Sequence, residues 1–110
     1  MFTQKIIYMA KSQLIENQAV AIYFTSPECN VCKVLKPKVR DLIEQKFPEM
    51  VLHFINIAEN PVIAAEFQVF TVPVILIYFE GREYIRKVRN IGLIELEKEI
   101  TRPYVLLFEP

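Results

Sequence analysis

Ser26-Pro27-Glu28-Cys29-Asn30-Val31-Cys32-Lys33 holds both cysteines of the 110-residue chain, spaced C-x-x-C. The apolar run Ala19-Val20-Ala21-Ile22-Tyr23-Phe24 leads into it, and an amphipathic segment carrying Pro37 leads out. On the first turn of a helix, residues i and i+3 share a face, close enough for two sulfurs to bond. Cys29 then lies at a helix N-terminus, where unpaired backbone N–H groups and the macrodipole favour a thiolate over a thiol. A thiolate attacks a disulfide, and a second thiol in reach resolves the mixed disulfide. The spacing alone is ambiguous: half of a zinc site looks the same, and two core cysteines three apart are a plain structural alternative. The context of strand, loop and helix is what points to redox exchange.

Working outward, Ala19–Phe24 has strand length and no polar alternation, the pattern of a strand covered on both faces. Ser26-Pro27 marks the loop that follows. A helix is predicted over Asn30–Lys46, with Val31, Leu35, Val39, Leu42, Ile43 and Phe47 as its apolar stripe. Pro37 predicts a kink one turn after Cys32, and Pro48 a stop. Upstream, Ile6, Ile7, Ala10, Leu14 and Ile15 predict a helix over Thr3–Asn17. Downstream, Val51–Ile57 reads as a second buried strand, and Asn60-Pro61 opens a short helix to Gln68. Val74–Phe79 and Glu83–Arg89 form a hairpin about Glu80-Gly81, the second strand carrying edge-type charges. A last helix runs from Leu93 to Arg102 and is expected to end at Pro103. The tail Tyr104-Val105-Leu106-Leu107-Phe108 is left needing a partner, either its own domain or a second chain.

Composition narrows the function. One domain over residues 1–110 is expected, and 53% hydrophobic content supplies a real core. A formal charge of +0 gives no basic patch for nucleic acid, and 2 glycines cannot build a phosphate cradle. The longest apolar run, Val69–Phe79, is broken by Thr71 and Pro73 and is too short to span a bilayer. Met1-Phe2-Thr3-Gln4-Lys5 lacks the order of a signal peptide, so a cytoplasmic location is expected. In a reducing compartment a C-x-x-C is catalytic or metal-binding sooner than a structural crosslink.

Between about Ala19 and Ile100 the chain resembles the thioredoxin family. Cys29-x-x-Cys32-Lys33 is similar to that family's active site, Pro37 to its helix-kinking proline, and Asn60-Pro61 to the start of its middle helix. Val72-Pro73 is similar to its cis-proline pair and Glu80-Gly81 to its hairpin turn. The resemblance implies an α/β thioredoxin-like fold: a central mixed sheet of about four strands, flanked by helices on both faces. It implies a thiol–disulfide oxidoreductase without a bound cofactor, with Cys29 as exposed nucleophile and Cys32 as buried resolving thiol. Pro73 would lie beside the sulfurs, and the Val72 backbone would pair with a substrate strand. Partners would be a disulfide-bearing protein or a small-molecule thiol, with a reductase as electron donor, and the chain a monomer or weak dimer.

The departures matter as much. Glu28 stands where the family has Trp, and Asn30-Val31 where it has Gly-Pro. The carboxylate opposes a Cys29 thiolate, while Lys33 and Lys36 favour it. The family's buried Asp falls on Tyr23 and its Lys partner on Phe54, so the charged pair is replaced by two aromatics. Tyr23 would be only a weak substitute in proton transfer, with a free pKa of about 10 against about 4 for an acid. A family glycine falls on Arg89. His53, the single histidine, reads as a packed side chain sooner than a ligand, and no metal site is expected. Two other readings remain: a non-catalytic partner-binding module, or a metal or iron–sulfur site shared by Cys29/Cys32 pairs across a dimer.

Overall fold

The computed structural model describes residues 10–109. The elements are α1 (Lys11–Leu14), β1 (Ala19–Thr25), α2 (Asn30–Lys46), β2 (Val51–Asn56), α3 (Pro61–Glu66), β3 (Val74–Phe79), β4 (Arg82–Val88) and α4 (Leu93–Phe108). The helix expected over Thr3–Asn17 is described only from residue 10 onward, as the short α1; its first part lies outside the described residues.

The strands form one sheet in the order β2-β1-β3-β4. β1 runs parallel to β2 and antiparallel to β3, and β3 is antiparallel to β4. The unbroken apolar run in β1 is explained by two cores. Ala19, Ala21 and Tyr23 pack with Val39, Ile43, Leu96 and Ile100 of α2 and α4. Val20, Ile22 and Phe24 pack with Leu14, Ile63 and Phe67 on the α1 and α3 side. Period-2 alternation therefore shows up as two buried faces instead of one wet face. The Glu80-Gly81 turn has positive φ at both residues, 53° and 81°, so its twist matches the flanking strands.

Two expectations are corrected. β2 lies at the sheet edge, and of its residues only Ile55 is buried; Phe54 is 36% exposed. An edge strand without charged side chains has the same composition as a central one, so pattern could not separate them. Pro103 does not end the last helix, which continues to Phe108, so 103–108 is helix and not a tail. Proline in a helix interior costs about 3 kcal/mol. Tyr104 offsets that: it is 3% exposed, meets Phe47 edge-on at 5.1 Å and Phe108 at a tilt at 4.8 Å between ring centroids, and accepts the Glu49 N–H at 2.9 Å. Burying a tyrosine contributes about 4 kcal/mol.

Candidate functional site

The site is built at one end of the sheet. Phe24 pairs with Val74, and Val74 with Val88. Thr25, Pro73 and Arg89, the neighbours of those residues, therefore come together where β1 hands the chain to the cysteine loop. A turn closed by the Cys29 N–H on the Ser26 carbonyl, at 3.2 Å, brings the chain round to α2.

Cys29 is the N-cap of α2, in extended conformation at φ −90° and ψ 102°. Its Sγ accepts the Cys32 backbone N–H at 3.1 Å. Asp, Ser or Asn use a side-chain oxygen at such a position; here the capping atom is the sulfur. Hydrogen bonding to the charged form of a group favours that form, so the cap that starts the helix also favours a thiolate. Cys29 is half-buried, whereas Cys32 is 0% exposed. The two are joined as a disulfide, with Cα atoms 5.2 Å apart, within the ordinary range for such a bridge. Val31 and Val34, one expected in the apolar stripe, project outward at 61% and 63% exposure beside the cysteines. Pro37 lies within α2, so the Lys33 carbonyl has no N–H partner one turn on.

Tyr23 lies under the pair and is 0% exposed. Its hydroxyl donates to the Cys32 backbone carbonyl at 3.1 Å, and burial pushes its pKa up to about 12. The Phe54 ring meets Tyr23 edge-on at 6.0 Å, and Lys36 Nζ sits over the Phe54 ring, 4.8 Å from its centroid. Thus the two positions at which the resemblance implies a charged pair hold an aromatic pair capped by a cation. Beside them a cleft of about 320 Å³ is lined by Thr25, Ser26, Pro27, Lys33, Lys36, Phe54 and Asn56.

The Val72–Pro73 bond is cis and Pro73 is buried. Its carbonyl accepts the Arg89 N–H at 2.7 Å. Arg89 has φ of 64°, the left-handed conformation that favours glycine. His53 pairs with Ile22 on the parallel β2 and so faces the α1 side, away from α2 and the sulfurs. Burial holds its imidazole below the usual histidine range, offset in part by a bond to the Leu14 backbone. Its Nε2 is buried and has no partner among the described residues. Composition offered no sign of Arg86, whose bonds to the Phe67 and Gln68 carbonyls hold the start of the Val72 loop. Only its place in a charged edge strand was visible.

The sequence model of the Thioredoxin family matches residues 6–102. A thioredoxin-like protein of Bacillus subtilis, YdfQ, is 38% identical over 85 residues, covering 77% of this chain and 75% of its own length. The thioredoxin of Pyropia yezoensis is 31% identical over 72 residues, covering 64% and 67% of the two chains. Among solved structures, thioredoxin 1 of Thermosipho africanus superposes with a TM-score of 0.73 at 30% identity, covering 80% of this chain and 97% of its own. Oxidized mitochondrial thioredoxin 3 of Saccharomyces cerevisiae gives 0.71 at 26% identity, covering 82% and 83%.

Proposed function

This chain belongs to the thioredoxin family, and from that premise we propose that Cys29 is its nucleophile and Cys32 its resolving thiol. A family member whose C-x-x-C pair closes as a disulfide is a thiol–disulfide oxidoreductase. It acts on disulfide substrates and draws electrons from a reductase. The observation that carries the assignment is the asymmetry of the pair: Cys29 is reachable and capped by a backbone N–H, and Cys32 is sealed from solvent.

In the reduced protein the Cys29 thiolate attacks one sulfur of a substrate disulfide. A Cys29–substrate S–S bond forms, the substrate S–S bond breaks, and the first thiol leaves after taking up a proton. Cys32, having lost its proton, then attacks Cys29 Sγ. The mixed disulfide breaks, the second thiol leaves with a proton, and the Cys29–Cys32 disulfide remains. Two electrons pass to the substrate, and a reductase returns them. The family match and the closure of the pair within one chain favour exchange over a metal shared between chains.

Within this proposal Val72 and Pro73 form the platform for the substrate main chain beside Cys29. Tyr23 supports Cys32 through its carbonyl and does not carry the proton, because its hydroxyl is committed there and is a very weak acid. Asn30-Val31 and Glu28 give the pair a reduction potential unlike that of a Gly-Pro member. One chain holds both sulfurs, so one domain suffices for the chemistry, in a monomer or a weak dimer. No helix among the described residues is long and apolar enough to cross a membrane. A reducing compartment such as the cytosol is where the dithiol form would work.

Cys32→Ser tests the roles directly. The variant is expected to accumulate a mixed disulfide between Cys29 and a disulfide probe, seen by mass. Cys29→Ser is expected to trap none. Trapping by Cys29→Ser instead would reverse the assignment, and trapping by neither would remove it. Equilibration of the wild type in graded glutathione buffers then reads the potential, with about −270 mV marking an ordinary thioredoxin reductant.

A further inference from the structure

The loop that presents Val72 and Pro73 starts at the C-terminus of α3. The last carbonyls of any helix lack a partner within it, and α3 has only six residues. Backbone N–H groups of Phe67, Gln68 and Val69 meet the Ile63, Ala65 and Ala64 carbonyls, and Arg86 of β4 supplies donors to the two carbonyls just past the helix end. Its Nη2 donates to the Phe67 carbonyl at 2.8 Å and its Nη1 to the Gln68 carbonyl at 3.3 Å. Gln68 itself turns out of the helix with φ of 58°.

Glu83 holds the guanidinium from behind. Arg86 Nε donates to Glu83 Oε2 and Arg86 Nη2 to Glu83 Oε1, both at 2.8 Å. The pair is bidentate, and the planar fork has a fixed direction in which to aim its remaining N–H groups. Bonding to Arg86 also holds the Glu83 carboxyl below its usual range. An exposed ion pair alone contributes little. This one differs because the cation spans two elements and caps backbone carbonyls 18 and 19 residues away.

The far end of the loop is held by the same strand. Arg86 lies opposite Leu76 and Val88 opposite Val74, and the next residue, Arg89, donates its N–H to the Pro73 carbonyl at 2.7 Å. β4 therefore grips the loop at its entry and its exit. Between the grips Val69 is 2% exposed and Val72 packs against the same core, whereas Phe70 is 78% exposed and adds no anchor.

We propose that the Arg86–Glu83 pair is a positioning device for Thr71–Pro73, and that it sets affinity for protein disulfides without taking part in sulfur chemistry. The proposal rests on the assignment of Cys29 and Cys32 above. A protein substrate must align its main chain with Val72 as well as present a sulfur to Cys29. A small aromatic disulfide needs only the sulfur. Misplacing a docking backbone by a fraction of an ångström weakens the first and spares the second.

The test compares Arg86→Gln, Arg86→Lys and Glu83→Gln with wild type on a protein disulfide such as insulin and on a small aromatic disulfide. For Arg86→Gln, KM for the protein disulfide is expected to rise about tenfold with kcat little changed. Turnover of the small disulfide should stay within about twofold of wild type. Arg86→Lys, with one point donor for the fork, should recover part of the loss. Equal losses on both substrates would show a merely structural role and overturn the proposal, as would an unchanged KM for the protein disulfide. Should Arg86→Gln not fold, Glu83→Gln keeps every Arg86 bond to the loop but loosens its aim, and must raise the protein KM alone. Lack of turnover of either substrate by wild type would defeat the assignment of the cysteines itself, which the variants cannot do.

Discussion

Tyr23→Phe removes one oxygen from the floor of the site and separates two roles for that residue. The lost atom donates to the Cys32 carbonyl at 3.1 Å, and the ring and its edge-on contact with Phe54 remain. A carbonyl within a helix still has the N–H of the residue four on, so no acceptor is left bare. The stability cost should therefore fall near about 1 kcal/mol, the middle of the range for a neutral hydrogen bond. For a chain of this size that lowers Tm by about 4 °C.

The kinetic expectation follows from the hydroxyl pKa of about 12. At pH 7 such a group is ionised in about one molecule in 10⁵, which removes it as a base. As an acid toward a thiolate of ordinary pKa, about 8.5, it would work uphill by about 5 kcal/mol. Tyr23 is thus too weak to move the proton and serves to hold Cys32. Stopped-flow reduction of a disulfide by wild type and Tyr23→Phe, from pH 6 to 9, reads this directly. The rate should fall by no more than about fivefold, the equivalent of the lost bond, and the midpoints of the pH profile should not move. A profile that loses a limb, or a fall of about 10²-fold or more, would show proton transfer through the hydroxyl and refute the reasoning. Tyr23→Asp sets the opposite case: a carboxylate should hasten release of Cys32-linked mixed disulfides, while costing several kcal/mol because Phe54 offers no counter-charge. An unchanged release rate there would also count against this account.

Three further outcomes are expected. His53 is held below its free pKa of 6.5, so the unfolded chain binds its proton first; stability is complete above pH 6.5 and falls as pH drops below it. Urea unfolding from pH 7 to 5 should show that slope in wild type and lose it in His53→Leu, since the stability from the lowered Glu83 carboxyl is present above its free pKa of 4.5 and is lost only as pH falls below it. Arg89→Gly relieves a left-handed non-glycine residue, worth about 1–2 kcal/mol, against about 0.5–1 kcal/mol of added chain freedom. The net gain of about 0.5–1 kcal/mol should raise the urea midpoint by about 0.5 M, and a lower midpoint would show that the side chain makes a compensating contact. Tyr104→Phe takes the acceptor from the Glu49 N–H and should cost about 1 kcal/mol in calorimetry; an unchanged Tm would mean that water replaces it.

What the sequence could state, and what it could not, divides by the range of the interaction. The cysteine turn, the Asn60-Pro61 helix start and the Glu80-Gly81 hairpin each depend on a few adjacent residues, and their chemistry is legible from those residues alone. The joint replacement at Tyr23 and Phe54 was also legible. Two buried charges are retained or lost together, and the structure adds that the two rings in their place meet edge-on at 6.0 Å. Pro103 misled because the rule that proline ends a helix prices the helix by itself, while Tyr104 is paid from the core beneath it, through Phe47 and Glu49 some 55 residues away. The edge position of β2 was hidden for the converse reason: Val51–Asn56 carries no charge to mark its open side, and strand order is decided by partners. Arg86 shows the same limit at the site. Its neighbours in sequence assign it to a solvated edge, which half of its surroundings confirm, yet its N–H groups end on carbonyls that only the fold brings near. Since the local pattern fixes the sulfurs and the long-range contacts fix the loop beside them, substitutions that keep C-x-x-C should preserve exchange chemistry while β4 changes which disulfides are accepted.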